Sequence, residues 1–380
     1  MITYRTHEKL ELPLPFLPAV FLHLPGWWIS ALEGFDMAAP LTLQFRGRLR
    51  SRFATGAILS FGVFCGRVSA QTVYATFDPA DSVYTSPVGI NRFGAIAGWF
   101  QDTGGRIHAF ARDARGIITT VDPPGALFCT RAFSINDLGV IAGSYYDANS
   151  IGHGFVRDAQ GNIVSFEVPG SKDTQASTIN DTGSVAGFYS DATGVHGFVR
   201  GADGTMTAFD PTGSAPYTVP HGINGMGAIA GYYIDLYSIH HGFVRTPQGA
   251  ITRIDVPGSI GTEVNSINRA GGVAGRYWDT SGMVHAFVRT PQGAIIAFDP
   301  SGSDGTLAWS INNAGAVTGE YGDVNAMGNH GYVRDSGGTI TSFDPPGSTN
   351  TVANSINETG TVTGAYSVPG FSAHGFVRQP

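Results

Sequence analysis

The sequence predicts an all-β fold, a seven-bladed β-propeller with four strands in each blade. One observation is the tripeptide H-G/A-F/Y, which occurs seven times at intervals of 43 to 45 residues. A second is that short apolar runs alternate with clusters of glycine, proline, asparagine and aspartate, which indicates short strands and no helix. The third is composition, since 53 of the 380 residues are glycine and only 13% are charged, as expected for many strands joined by tight turns. The repeat histidines are His108, His153, His196, His241, His285, His330 and His374.

Each repeat contains four predicted strands, around S-I-N, V-A-G-x-Y, H-G-F-V-R and I-T-x-F-D. We expect them to lie in this order from the inside to the outside of a blade. The first hairpin turns at N-x-x-G, where the asparagine side chain caps the turn and the glycine adopts the left-handed conformation. The seven asparagines of this turn are therefore interpreted as structural residues.

The two ends of the repeat region are incomplete in a complementary way. The last repeat ends at Arg378, after its third strand. The segment Y-A-T-F-D at 74–78 precedes the first complete repeat and matches I-T-S-F-D at 340–344. We expect this N-terminal strand to be the outermost strand of the last blade and to close the ring, which removes an exposed edge. An open solenoid is the alternative, but it requires no such pair of ends.

The first 70 residues are predicted to be an export signal and a doubtful extension. Residues 46–52 are basic, residues 53–66 form a short apolar run, and V-S-A precedes Gln71. This pattern predicts a secretory signal peptide at 37–70, cleaved after Ala70, and a mature extracellular or periplasmic chain, 71–380, without a membrane span. Residues 1–36 precede Met37 and are interpreted as an extension from a mis-assigned start. A membrane segment is the alternative there, which its prolines disfavour.

The repeat resembles a known family. I-N-x-x-G-x-V-x-G followed by H-A-F is similar to the HAF-repeat family of extracellular bacterial proteins, over residues 73–380. His108-Ala109-Phe110 and His285-Ala286-Phe287 carry the literal tripeptide. The repeats depart from the family where V-R and F-D-P-P-G-S replace a tryptophan and an L-G-x-L-G-G stretch. The resemblance implies export and a repetitive β-fold, and it supplies no catalytic residues.

Several polar residues occur in nearly every repeat. Each of the first six repeat histidines is followed 14 residues later by Asp or Glu, which a hairpin brings opposite it. We expect the seventh, His374, to pair with Asp78 across the ring closure. Such pairs suit a general base or a metal site, but an active site is not needed seven times, so structural pairs are favoured. The arginine that ends each third strand is likewise expected to pack at the blade edge. One Y-x-D aspartate per loop favours turns over Ca²⁺ binding, and no metal or cofactor is predicted.

The position before S/G/T-I-N carries six different residue types in the seven repeats and is the best candidate for a ligand site. We expect it at the start of the innermost strand, near the mouth of a central channel, where Arg131, Tyr217 and Glu263 add further groups. His221, Asn265 and Trp309 come from successive blades and are predicted to form one arc. The alternative is that these residues plug the channel. The seven variable residues are Val88, Phe133, Ser177, His221, Asn265, Trp309 and Asn354.

Composition and motifs limit the classes of function. Lysine is nearly absent from the repeats and the net charge is −7, which disfavours nucleic-acid binding. Cys129, alone in the mature chain, is interpreted as a small buried hydrophobe rather than a nucleophile. Because no hydrolase, P-loop or dinucleotide motif occurs in a convincing context, we predict a secreted, monomeric, non-enzymatic propeller that binds a carbohydrate, peptide or cell-surface partner. The alternatives are a lyase or glycan-active enzyme that uses His221 and Glu263, and a structural role in the envelope or matrix.

Overall fold

The structure, a computed structural model, describes residues 73–324 and 328–380, apart from the side chains of residues 371 and 372. These residues form 28 β-strands and no helix, which confirms the all-β prediction. Within the same ranges no helix is long and apolar enough to span a membrane. The predicted extension at 1–36 and signal peptide at 37–70, with its cleavage after Ala70, lie outside the described residues.

The strands pair as antiparallel units of four, which we number in chain order. Unit 1 comprises β2 (Ser82–Ile90), β3 (Ile96–Asp102), β4 (Ile107–Arg112) and β5 (Ile118–Val121). Unit 2 comprises β6 (Thr130–Ile135), β7 (Ile141–Tyr146), β8 (Gly152–Arg157) and β9 (Ile163–Phe166). Unit 3 comprises β10 (Asp173–Ile179), β11 (Val185–Ser190), β12 (Val195–Arg200) and β13 (Met206–Phe209). Unit 4 comprises β14 (Ser214–Ile223), β15 (Ile229–Asp235), β16 (His240–Arg245) and β17 (Ile251–Ile254).

The remaining units follow the same order. Unit 5 comprises β18 (Gly261–Ile267), β19 (Val273–Trp278), β20 (Val284–Arg289) and β21 (Ile295–Phe298). Unit 6 comprises β22 (Ser303–Ile311), β23 (Val317–Asp323), β24 (Asn329–Arg334) and β25 (Ile340–Phe343). Unit 7 comprises β26 (Asn350–Ile356), β27 (Val362–Val368) and β28 (Phe371–Arg378). Its fourth strand is β1 (Tyr74–Phe77), which pairs antiparallel with β28 from Tyr74↔Arg378 to Phe77↔Gly375.

The N-x-x-G turn forms because one asparagine side chain satisfies several backbone groups. In unit 4, Asn224 Oδ1 accepts hydrogen bonds from the backbone N–H groups of Met226 and Ala228, both at 3.0 Å. Gly227 has a φ of 83°, a conformation that favours glycine. Asn224 Nδ2 donates to the backbone carbonyl of Asn268 in unit 5, at 3.1 Å. The same donation links the turn asparagines of successive units, at 2.9 to 3.2 Å.

The core lies between neighbouring units. Phe209, at the end of the outermost strand of unit 3, packs edge-to-face on the fully buried Phe243 of unit 4, with 6.0 Å between ring centroids. The Arg245 guanidinium also lies over the Phe209 ring, 4.8 Å from its centroid. Phe77 of β1 packs in the same way on Phe110 of unit 1. Repeated aromatic contacts of this geometry favour adjacent units packing face to face. Among the described residues, no sheet closes on itself.

Candidate ligand-binding cavity

A cavity of 510 Å³ is lined by the first strands of all seven units. Its volume is in the range of small-molecule sites in proteins, about 300 to 1,000 Å³. All seven variable residues line it, among them the predicted ligand-binding residues Phe133, His221, Asn265, Trp309 and Asn354, whereas the neighbouring candidates Arg131, Tyr217 and Glu263 do not. The variable residues in its wall are Val88, Phe133, Ser177, His221, Asn265, Trp309 and Asn354.

The variable residue reaches the cavity because it is the extra residue of a β-bulge. In unit 6, Ala308 and Ser310 pair with consecutive residues of β23, so Trp309 has no partner in the register. The same shift falls at the variable residue in each of the other six units. A bulge redirects one side chain out of the strand's alternation. It also presses the Leu307 carbonyl against Gly319, where a Cβ would overlap the oxygen, which explains the glycine of V-x-G.

Isoleucines of the S-I-N segments form the floor of the cavity. Ile90, Ile135, Ile179 and Ile223 line both this cavity and a smaller one of 190 Å³ on the side of the asparagine turns. These apolar side chains therefore separate the two cavities. The larger cavity has an apolar floor and a wall of mixed polar and aromatic groups.

His221 and Asn265 are hydrogen-bonded to each other across two units. His221 Nδ1 lies 3.2 Å from Asn265 Oδ1, and Asn265 Nδ2 donates to the backbone carbonyl of Ala308 at 2.9 Å. Since Ala308 precedes Trp309, the structure places His221, Asn265 and Trp309 along one arc of the wall. Burial lowers the pKa of His221, against an opposing effect of the nearby Glu263 carboxylate. The imidazole and the Tyr232 ring pack edge to face, at 5.5 Å between centroids.

Trp309 is half-buried and held from outside the cavity. Its indole Nε1 donates to Glu320 Oε1 at 3.3 Å, and Glu320 Oε2 accepts from Asn329 Nδ2 at 2.8 Å. The Arg276 guanidinium lies 5.7 Å from the Trp309 ring centroid. Burial raises the pKa of Glu320, because these hydrogen bonds only partly compensate for its removal from water. The indole therefore has a defined orientation.

The Glu263 carboxylate is bound by side chains outside the cavity lining. It is only 2% exposed, and its two oxygens accept from His240 Nδ1 at 2.7 Å and from Arg276 Nη2 at 2.6 Å. Burial opposes its ionisation, but the hydrogen bonds from His240 and Arg276 outweigh this and lower the pKa of Glu263. Among the described residues the hydrogen-bond partner of His221 is Asn265, and His221 and Glu263, the pair of the enzymatic alternative, are not hydrogen-bonded to each other.

The other predicted residues lie at different depths. Asn354 Nδ2 donates to the Pro87 carbonyl of unit 1 at 2.7 Å, while the residue lines the cavity. Arg131 lies with its guanidinium 4.8 Å from the centroid of Trp99, outside the lining. Tyr217 is 38% exposed and tilted against Tyr232. Arg131 and Tyr217 thus belong to the surroundings of the cavity.

Sequence analysis missed a second variable position, the residue that follows the glycine of V-A-G. It contributes Arg276 and Glu320, which fix Glu263 and Trp309, and Tyr232, which supports His221. The signal was present, because this residue also differs between the repeats. The seven residues are Trp99, Ser144, Phe188, Tyr232, Arg276, Glu320 and Ala365.

The repeat histidines lie next to carboxylates, as their spacing suggested. Six have Nδ1 within 2.6 to 2.8 Å of an aspartate, including His374 and Asp78 at 2.6 Å, and His153 lies 3.5 Å from Glu167. The carboxylate also contacts the next unit, since Thr218 Oγ1 of unit 4 donates to Asp210 of unit 3 at 2.6 Å. These contacts join strands within a unit and link one unit to the next.

The remaining candidate groups have local roles. In the Y-x-D loops, Asp147 Oδ1 accepts from the backbone N–H groups of Asn149 and Ile151, at 2.8 and 2.9 Å, which stabilises the turn. In the described ranges, no group of three or more His, Cys, Asp or Glu side chains has the geometry to hold a metal ion. Cys129 is half-buried, and burial raises the pKa of its thiol.

Comparison with known proteins identifies the fold. No protein-family model and no curated protein sequence matches the chain. A streptogramin B lyase structure is 13% identical with a TM-score of 0.52, covering 80% of this chain and 97% of that one. Virginiamycin B lyase from Staphylococcus aureus is 12% identical with a TM-score of 0.52, covering 82% and 100%. These structures are β-propellers.

The chain has a β-propeller fold. A puromycin hydrolase structure is also similar, at 14% identity and a TM-score of 0.54, over 80% of this chain and 54% of that one. At such low identity the likeness concerns the arrangement of strands alone. The activities in the names of these proteins therefore say nothing about the chemistry of this propeller.

Proposed function

We propose that the propeller is a single ring of seven blades and that its N-terminal strand completes the last blade. Two contacts support this arrangement. β1 pairs with β28 in unit 7. The asparagine hydrogen bonds run from each unit to the next, and Asn357 Nδ2 of unit 7 donates to the Asn91 carbonyl of unit 1 at 3.1 Å. In such a ring the 510 Å³ cavity lies at the mouth of the central channel.

The function proposed for this ring is non-enzymatic binding of a glycan, a peptide or a cell-surface partner in the cavity. The observation that carries it is the contrast between two sets of side chains. Groups present in every unit, such as the histidine–carboxylate pairs, hold strands and units together. The groups that differ meet in the wall of one cavity. A single ligand on a repetitive scaffold contacts the residues that differ between blades.

Export is part of the proposal and has independent support in the sequence. The basic cluster at 46–52, the apolar run and the V-S-A before Gln71 have the order of a cleavable signal, and the repeats resemble the extracellular HAF-repeat family. Intact-mass measurement of the protein recovered from culture medium should give a chain that begins at Gln71, and size-exclusion chromatography should show a monomer. A secreted form with another first residue would contradict the cleavage site.

Replacement of Trp309 by alanine tests the binding site. The full repeat region is screened on glycan and peptide arrays, alongside the variant and a control, Thr252→Ala, on an exposed part of β17. We expect Trp309→Ala to weaken binding at least tenfold, because an aromatic anchor in a cavity commonly contributes about 2 kcal/mol. The melting temperature should change little and the control should bind normally. Affinity that survives loss of the indole would refute this site.

A further inference from the structure

The direction of the hydrogen bonds in the cavity wall defines what the ligand must offer. A backbone carbonyl can only accept a hydrogen bond, so the contact with Ala308 identifies the Asn265 atom beside it as the NH₂ group. The other amide atom, Oδ1, is then an acceptor, and His221 Nδ1 must donate to it. In the neutral imidazole the remaining nitrogen, Nε2, carries a lone pair and is an acceptor.

Asn354 is oriented in the same way. Its Nδ2 donates to the Pro87 carbonyl at 2.7 Å, which leaves Oδ1 as an acceptor on a residue of the cavity wall. In the described part of the chain, no group donates a hydrogen bond to Asn354 Oδ1 or to His221 Nε2. Both atoms are held by contacts between units. The wall therefore presents two preorganised acceptors, which call for hydrogen-bond donors on the ligand.

The lack of charged side chains in the wall disfavours an anionic ligand. The cavity lining contains no Asp, Glu, Lys or Arg. Outside the lining, the charges of Glu263 and Arg276 are paired with each other, with Arg276 Nη2 at 2.6 Å from Glu263 Oε2. A carboxylate, sulfate or phosphate group would lose hydration without gaining a cation.

The rest of the wall suits an apolar face. Trp309 and Phe133 line the cavity from units 6 and 2, above the isoleucine floor. The Trp309 indole is fixed from behind by Glu320, so that stacking on it costs little ordering of the side chain. A pyranose ring has C–H groups on its faces and hydroxyl donors around its edge, and it therefore matches an aromatic wall flanked by fixed acceptors.

We propose that the cavity binds the neutral end of a glycan, with one pyranose ring against Trp309 and with hydroxyl groups donating to His221 Nε2 and Asn354 Oδ1. This inference rests on the proposed function, whose site it shares. It adds the chemical class of the ligand and the two atoms that select it.

A comparison of probe classes separates the two levels of the proposal. The repeat region and Trp309→Ala are tested on immobilised cellotetraose, mannotetraose, chitotetraose and xylotetraose, on tetragalacturonic acid, and on uncharged tetrapeptides. Binding of a neutral tetrasaccharide that depends on Trp309 supports both proposals. If only tetragalacturonic acid or peptides bind in a Trp309-dependent manner, the cavity remains a ligand site but the inference of a neutral glycan is overturned. If none of these probes binds in a Trp309-dependent manner, the glycan inference fails. If the glycan and peptide arrays of the first experiment also give no Trp309-dependent binding, the proposed ligand site fails as well.

The acceptor at His221 is tested with His221→Asn, which keeps a donor toward Asn265 and removes the group at Nε2. The measured quantity is the affinity for the neutral tetrasaccharide found above and for its single-deoxy analogues. With the native protein we expect two analogues, one for each acceptor, to bind about tenfold more weakly than the parent, the size of one hydrogen bond. With His221→Asn, one of these two analogues and the parent should bind equally, while the other should still bind more weakly. Thr252→Ala serves as the control, and equal binding of all analogues by the native protein would overturn the inference.

Discussion

Replacement of Arg276 by methionine, which removes the guanidinium and its charge, tests the polar cluster beside the cavity. Arg276 pairs directly across the strands with Glu263, which is 2% exposed. In Arg276→Met the buried carboxylate keeps only His240 as a partner. Breaking a buried ion pair from one side costs about 3 kcal/mol. We therefore expect Arg276→Met to lower the free energy of unfolding by about that amount at pH 7, measured from guanidinium denaturation.

The pH dependence of this variant has a defined sign. In the native protein the pKa of Glu263 is lowered, so its contribution to stability is present above the unfolded pKa, about 4.3, and is lost as pH falls through the folded pKa. In Arg276→Met, burial with fewer partners should raise the pKa of Glu263 instead. Protonation then relieves the buried charge, and the difference in stability between variant and native protein should shrink as pH falls from 7 toward 4.

A second substitution separates charge from packing. Arg276→Met combined with Glu263→Gln removes the unpaired charge and should recover most of the lost stability. The reasoning is refuted if Arg276→Met costs less than about 1 kcal/mol, or if the double variant is no more stable than the single one. The first result would mean that the apolar stem, which methionine largely keeps, stabilises the cluster more than the charge does, and the second that the loss does not come from an unpaired charge on Glu263.

Three further predictions concern the repeats. Deletion of residues 71–79 should remove β1, expose the β28 edge and promote aggregation in light scattering, whereas an intact monomer would argue against ring completion by this strand. His241→Ala should lower the free energy of unfolding, measured by denaturation, by about 2 kcal/mol through loss of the contact with Asp255. Ligand affinity should not change, and a selective loss of binding would contradict the structural role. Burial tends to lower the pKa of His285, but Asp299 raises it overall. The ion pair of His285 with Asp299 should therefore stabilise the fold below pH 6.5 and lose this contribution as pH rises further. His285→Gln should remove that pH dependence of the unfolding free energy.

The repeat pattern predicted the local structure well because each strand is specified by nearby residues. Asn224 and Gly227 form their turn from atoms at most four positions apart, so the N-x-x-G spacing alone indicated it. The histidine–carboxylate spacing was equally informative, since a hairpin relates its two members by register. These contacts depend on short stretches of chain and recur in every unit.

The cavity was predicted only in outline. The variable residues were found because they interrupt the repeat, but their common direction depends on a bulge, which is a relation between two strands. Glu263 was expected at the mouth on account of its position near Asn265. Its carboxylate instead pairs with Arg276 and His240, because a charge that is removed from water must find partners from neighbouring strands.

The sequence by itself determined the all-β class, the repeat and the positions at which the units differ, since these follow from periodicity and turn chemistry. Only the tertiary structure decided which differing side chains meet, which of their atoms stay free, and which charges neutralise one another. Asn265 illustrates the reason, because its amide is oriented by the Ala308 carbonyl of the next unit and in turn sets the tautomer of His221 in the unit before. Such an effect depends on atoms more than 40 residues apart, and no local pattern in the chain encodes it.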